Sequence, residues 1–269
     1  MTSSRRDHVY RTEAVVTGRL DLGETDRILT LFTPANGKYR VIAKGIRRPQ
    51  SRKAPHLELF SRSHVMLAKG RDLDVVTAAE SIEPHWQLRT DLDAFGQASY
   101  LVELLNQFSE DRQENGRAYD LLCRSLTFLA EGIDPYAVSR FYELALMTAV
   151  GFRPQLYQCV NCERDITAEP NALSPRLGGM LCPVCRSGDL AAPVLSVNAQ
   201  KYIRLLDRSG LSGALRLTLD EATAADVERA LTAYVRHFAE RESRSLAVIR
   251  SIREWQPDYG APVDRPGAD

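Results

Sequence analysis

The sequence predicts an α+β protein: a small five-stranded barrel comes first, then a helical domain interrupted by a module built on four cysteines. Three observations carry this. The first eighty or so residues hold short β-branched runs separated by turn signals, and from about residue 85 apolar residues recur at helical spacing. Cys159-x-x-Cys162 is then followed, nineteen residues on, by Cys182-x-x-Cys185.

The strands come in order. Val9–Thr17 alternates loosely, and Arg27–Thr33 is a β-branched and aromatic run. Pro34–Gly37 ends in Asn36-Gly37, a strong hairpin signal because both residues tolerate positive φ. Lys38–Arg47 reads as a third strand, and His64–Ala68 and Asp74–Ala79 flank a turn at Lys69–Asp72. Five short strands in this length suggest a closed barrel, for which the OB-fold is the five-stranded candidate; an SH3-like barrel gives a similar pattern.

Helical periodicity takes over next. Ala94, Ala98, Leu101, Leu105 and Phe108 step along one face, as do Tyr119, Leu122, Leu126 and Leu129. Cys123 shares the second face and reads as a small core residue. Asp134-Pro135 is a cap and first-turn pair for a helix ended by Gly151, Ser196 caps another, and Thr223-x-x-Asp226 opens the last. The expected units are 1–82 (barrel), 83–154 and 191–255 (helical domain), 155–190 (cysteine module) and 256–269, a disordered tail.

The spacing of the cysteine pairs suits a zinc ion. Each Cys-x-x-Cys places two thiolates on one tight turn, and two such turns close a tetrahedron. Two separate redox pairs or disulfides are the competing reading. Four thiolates leave no position for water or substrate, so one structural Zn²⁺ on Cys159, Cys162, Cys182 and Cys185 is expected.

Composition narrows the function classes. In 269 residues, a 44% hydrophobic share is enough to bury two or three domains, and no run reaches the length of a membrane span. The N-terminus lacks the apolar segment of a signal peptide, and cysteines in a metal pattern suit a reducing compartment, so a cytoplasmic protein is expected. Net charge is zero but uneven. Residues 1–80 carry 15 Lys/Arg against 9 Asp/Glu, a balance of +6, offset by −6 in the remainder. Such a split points to a polyanion at the N-terminal end.

The cations concentrate in one stretch without a carboxylate: Lys38, Arg40, Lys44, Arg47, Arg48, Arg52 and Lys53. On a strand Lys38, Arg40 and Lys44 share one face, and the others continue into a loop around Pro49. A positive sheet face running into a basic loop can track a phosphate backbone; a solvated edge strand that blocks aggregation would look alike. Tyr39 and Phe32 are nearby aromatics that could stack bases, but Tyr39 falls on the opposite parity, which favours the core. There is no phosphate-binding glycine loop, no dinucleotide fingerprint, no histidine pair at ligand spacing and no nucleophile–base arrangement. A binding protein is therefore expected, not an enzyme.

Several segments, in this order, resemble the RecO family of bacterial recombination mediators. They are Glu13–Thr33 (EAVVTGRLDLGETDRILTLFT), Gly37–Arg48 (GKYRVIAKGIRR) with Ser51 after it, Leu57–Phe60 (LELF), Val150–Pro154 (VGFRP) just before the first cysteine pair, and Gly178–Cys182 (GGMLC). The resemblance runs from about residue 8 to 250. It implies an N-terminal OB-fold, a helical domain and a zinc module on the same four cysteines. It also implies binding and annealing of single- and double-stranded DNA, and loading of recombinase onto DNA coated with single-strand-binding protein. The implied partners are RecR and the acidic C-terminal tail of that coating protein, for a chain that is monomeric alone, has no membrane partner and is associated with the nucleoid. Lys38, Arg40, Lys44, Arg47 and Arg48 carry over as DNA contacts; Arg52 and Lys53 rest on charge alone. A rival expectation is an adaptor whose basic barrel docks acidic protein tails, with DNA contact incidental.

Overall fold

The computed structural model describes residues 9–239 together with Ser245 and Ile249. The segment 256–269, expected to be a tail, lies outside the described residues.

Five strands form the barrel: β1 (Val9–Leu22), β2 (Asp26–Thr33), β3 (Gly37–Ala43), β4 (Arg62–Ala68) and β5 (Asp74–Glu83). They close in the order β1-β2-β3-β5-β4, with β3 and β5 parallel through Val41↔Asp74 and Ile42↔Val75. This is the OB-fold order, and it excludes the SH3-like reading. Closure depends on β1 being longer than its alternating segment suggests. Its first half pairs with β4 and its second with β2, and a register shift between Val16 and Gly18 bends it from one to the other.

The expected third strand is too long by four residues. β3 stops at Ala43 because Gly45 adopts φ +65 and donates its N–H to Asp26 Oδ1 at 2.8 Å, after which Arg47 N reaches Thr25 O at 3.0 Å. Lys44–Arg47 is thus a turn folded back on the β1–β2 hairpin. Within β3, Gly37, Tyr39, Val41 and Ala43 are buried while Lys38, Arg40 and Ile42 point outward, as parity requires.

The helical domain comprises α1 (Gln87–Thr90), α2 (Leu92–Gln107), α3 (Gly116–Ala130), α4 (Pro135–Ala149), α5 (Val197–Ala214) and α6 (Glu221–Phe238). Asp91, Asn115, Asp134 and Ser196 cap α2 to α5 with side-chain oxygens, each satisfying a free backbone donor. The last helix starts earlier than expected: Asp220 is its cap, accepting from Thr223 N at 2.7 Å, so Thr223 lies inside the first turn. Between α4 and α5 stand three strands too short for a periodic signal, β6 (Asn171–Ser174), β7 (Gly179–Leu181) and β8 (Val194–Leu195).

Two apolar clusters hold the protein together. One fills the barrel with Leu29, Leu31, Tyr39, Val41, Val65, Leu67 and their neighbours. The other runs through the helices and the cysteine module and takes in Val15, Phe32 and Phe60 from the barrel. Cys123 is buried in it, its thiol pushed up to about 12 by burial. The barrel docks on α3 through Phe32, stacked on Tyr119 with centroids 6.4 Å apart, and through Glu13, whose Oε1 accepts from Tyr119 Oη at 2.7 Å and Arg62 Nε at 2.6 Å. Gly37 marks the closest approach. A Cβ there would lie 1.8 Å from Gln113 O, and φ is +55, so no other residue fits.

Candidate nucleic-acid interface and metal centre

The seven basic positions divide into two groups. Arg40, Lys44, Arg48 and Arg52 are exposed and make no ion pair or side-chain hydrogen bond among the described residues. Lys38, Arg47 and Lys53 are already engaged. Lys38 Nζ donates to Asn106 O at 2.8 Å and Ser109 O at 2.6 Å, with Asp111 3.8 Å away, and its side chain is 18% exposed. Arg47 donates to Gly23 O at 3.1 Å and faces Asp21 at 3.5 Å. Lys53 Nζ bonds Lys44 O at 3.2 Å and Val76 O at 2.9 Å, which straps the loop to β5, and burial lowers its pKa.

Asp26 explains the shape of this loop. The Gly45 N–H and the Thr25 hydroxyl hold its carboxylate below the usual range, so it stays charged while anchoring the turn. Lys44 and Arg48 are left on the outside. Arg19, Arg27, Asp21 and Glu58 form an ion-pair group that Arg47 joins through Asp21. Four unpaired cations therefore run from the middle of β3 into the loop, with no carboxylate among them in sequence. Such a surface attracts a polyanion without reading base edges.

The cysteine module is assembled by backbone pairing. Val160 N donates to Met180 O at 2.9 Å, and Met180 N to Gln155 O at 2.8 Å, so β7 lies against the first cysteine turn. Gly179 allows this approach, since a Cβ there would stand 2.6 Å from Gln155 O. The result brings Cys159, Cys162, Cys182 and Cys185 Sγ within 4.8 Å of one another, with Cys162 and Cys182 3.8 Å apart. Metal–sulfur bonds of about 2.3 Å at tetrahedral angles require sulfurs about 3.8 Å apart, and a disulfide requires about 2 Å. All five cysteines are free. The four sulfurs could hold one metal ion, and a fully occupied thiolate shell leaves no coordination position for substrate.

Donors lie against the sulfurs; despite the hydrogen bond from Asn161, burial and the neighbouring thiols push Cys185 up to about 11. Arg164 Nε lies 3.3 Å from Cys162 Sγ and holds that thiol down to about 6, while Asn161 Nδ2 points at Cys185 Sγ at 3.3 Å. Sequence reading passed over both residues. The only signal was their position, one inside the first pair and one two residues after it.

Fold and site together define a class: an OB-fold protein with a basic face, joined to a helical domain carrying four clustered thiols that could hold a metal ion. Comparison with known proteins identifies the family. The model described as "Recombination protein O N terminal" matches residues 8–85, and "Recombination protein O C terminal" matches 89–247. The chain is 43% identical over 249 residues to the DNA repair protein RecO of Roseiflexus sp. (strain RS-1), covering 93% of this chain and 88% of that protein. It is 39% identical to the one of Desulforudis audaxviator, covering 90% and 97%, and 33% identical to the one of Dehalococcoides mccartyi (strain CBDB1), covering 92% and 98%. The chain belongs to the recombination protein O family, a family of DNA repair and recombination. No helix among the described residues is long and apolar enough to cross a membrane.

Proposed function

We propose that this protein is a sequence-independent DNA-binding and strand-annealing mediator of recombinational repair. It helps load recombinase onto DNA coated with single-strand-binding protein, and acts with RecR and with the acidic tail of the coating protein. One observation carries the DNA-binding reading: Arg40, Lys44, Arg48 and Arg52 stand exposed along β3 and its loop and make no ion pair among the described residues. Annealing needs no catalytic group. A positive surface offsets repulsion between two phosphate backbones and raises their local concentration, and contacts that ignore base identity let the strands search for register. The nearby aromatics Tyr39 and Phe32 are buried, so little base stacking competes with that search. Zn²⁺ suits the four thiolates, and its task here is to hold the module together. Partner binding rests on family membership.

Anisotropy of a labelled oligothymidylate across a salt series tests the reading. Four phosphate contacts at about 0.7 each give a log–log slope of about −3. Lys44→Glu combined with Arg48→Glu should remove most binding and annealing while leaving the melting temperature unchanged. Failure of the wild-type protein to bind at low salt would favour the adaptor that docks acidic tails.

A further inference from the structure

A recess of about 470 Å³ opens where β4 turns into β5, lined by Tyr10, Asn36, Lys69, Gly70, Asp74 and Arg112. Five of these belong to the barrel. Arg112 comes from the connection between α2 and α3, and three constraints fix that connection in place. Lys38 Nζ holds the carbonyls of Asn106 and Ser109, Arg112 N donates to Lys38 O at 2.7 Å, and Gln113 O occupies the space that Gly37 leaves open. Arg112 itself takes φ +62, a left-handed conformation that costs a non-glycine residue about 1 kcal/mol or more. The docked loop imposes this cost, and the outcome is a guanidinium 5.2 Å above the centre of the Tyr39 ring.

The charges in the recess do not cancel. Arg112 makes no ion pair among the described residues, although Glu110, Asp111 and Glu114 flank it in sequence, and Lys69 makes none either. Asp74, the single carboxylate of the lining, is already engaged by Tyr10 Oη at 2.6 Å and Gly70 N at 3.2 Å. Gly70 is required for that turn, since a Cβ would meet Leu73 O at 1.9 Å. Two cations against one carboxylate therefore line one cavity, together with Asn36. The chemistry that fits them is a phosphate oxygen. Arg40 stands next to Val41, which pairs with Asp74, so the recess lies at one end of the line of free cations on β3.

On the DNA-binding reading above, we propose that this recess is a phosphate subsite for single-stranded DNA, shared between the barrel and the helical domain through Arg112. It extends the strand path from the basic loop, past Arg40, to the β4–β5 turn. A strand lying along that path is held by both domains at once.

The test uses the full chain, a labelled oligothymidylate and a salt series. Lys69→Ala combined with Arg112→Ala should make the log–log slope shallower by about 1.4, two contacts at about 0.7 each, which corresponds to roughly 25-fold weaker binding per decade of salt below 1 M. Arg71→Ala is the charge control: Arg71 is exposed in the same turn but does not line the recess, so its slope should stay at the wild-type value. If the double variant melts early, Lys69→Gln alone must lower the slope by about 0.7. An unchanged slope in the recess variants, or an equal fall in Arg71→Ala, overturns the subsite. When Lys44→Glu with Arg48→Glu abolishes binding and the recess variants do not weaken it, only the subsite fails. If neither set weakens binding, or the wild type binds no DNA, the DNA-binding reading fails and takes the subsite with it.

Discussion

Lys38 and Arg40 stand two positions apart on the same face of β3, yet their surroundings give them different tasks. The Lys38 ammonium satisfies two backbone carbonyls 68 and 71 residues away, whereas Arg40 is exposed and makes no side-chain hydrogen bond among the described residues. Lys38→Ala strands those carbonyls at a half-buried junction and should cost about 1–3 kcal/mol of stability. Arg40→Ala should stay within about 0.5 kcal/mol of wild type, as exposed substitutions do, and should weaken DNA binding instead. Denaturant melts beside anisotropy titrations separate the two; equal loss of binding with unchanged stability in both variants would refute the division. Strand parity was legible in the sequence and put both side chains outward. The tether of one of them was not, because its acceptors belong to a connection that tertiary packing alone brings near.

At the scale of the element, the cysteine pairs were the most legible feature and β6–β8 the least. Ligand spacing is a local property of the chain, while strands of two to four residues carry no period to read. The end of β3 was misjudged for a related reason: Lys44–Arg47 has the composition of a strand, and it turns because Asp26 captures Gly45 N. The cysteine module shares its core with the helices through Leu156, Ile166, Leu173 and Met180, so its loss spreads. Cys182→Ser should release the metal, measured by elemental analysis, and lower the melting temperature by about 5–10 °C. DNA binding per folded molecule should persist. A variant that keeps its melting temperature but no longer anneals would give the metal a direct role at the DNA.

Across the whole molecule, Glu13 links β1 to β4 through Arg62 and to α3 through Tyr119. Burial pushes its carboxyl upward, but the hydrogen bonds from Arg62 and Tyr119 prevail and hold it below the usual 4.5. A depressed carboxyl contributes stability above its unfolded value, and that contribution is lost as pH falls through the folded value. Glu13→Gln should therefore be less stable than wild type at neutral pH, and the gap should narrow as pH falls below 4.5 and close once it passes the lowered folded value. Thermal melts across pH check this, and a gap that persists in acid would place the effect in packing.

The sequence by itself determined the barrel-then-helix order, the inward and outward faces of β3, the pairing of four cysteines at metal-ligand spacing and the basic character of one segment. Each follows from period, spacing or local composition, which short stretches of chain carry unaided. The closed strand order, the separation of free cations from tethering ones, and the placement of Arg112 over Tyr39 were decided only by the tertiary structure. Those depend on which backbone atoms meet across dozens of intervening residues, and packing the two cores against each other settles that.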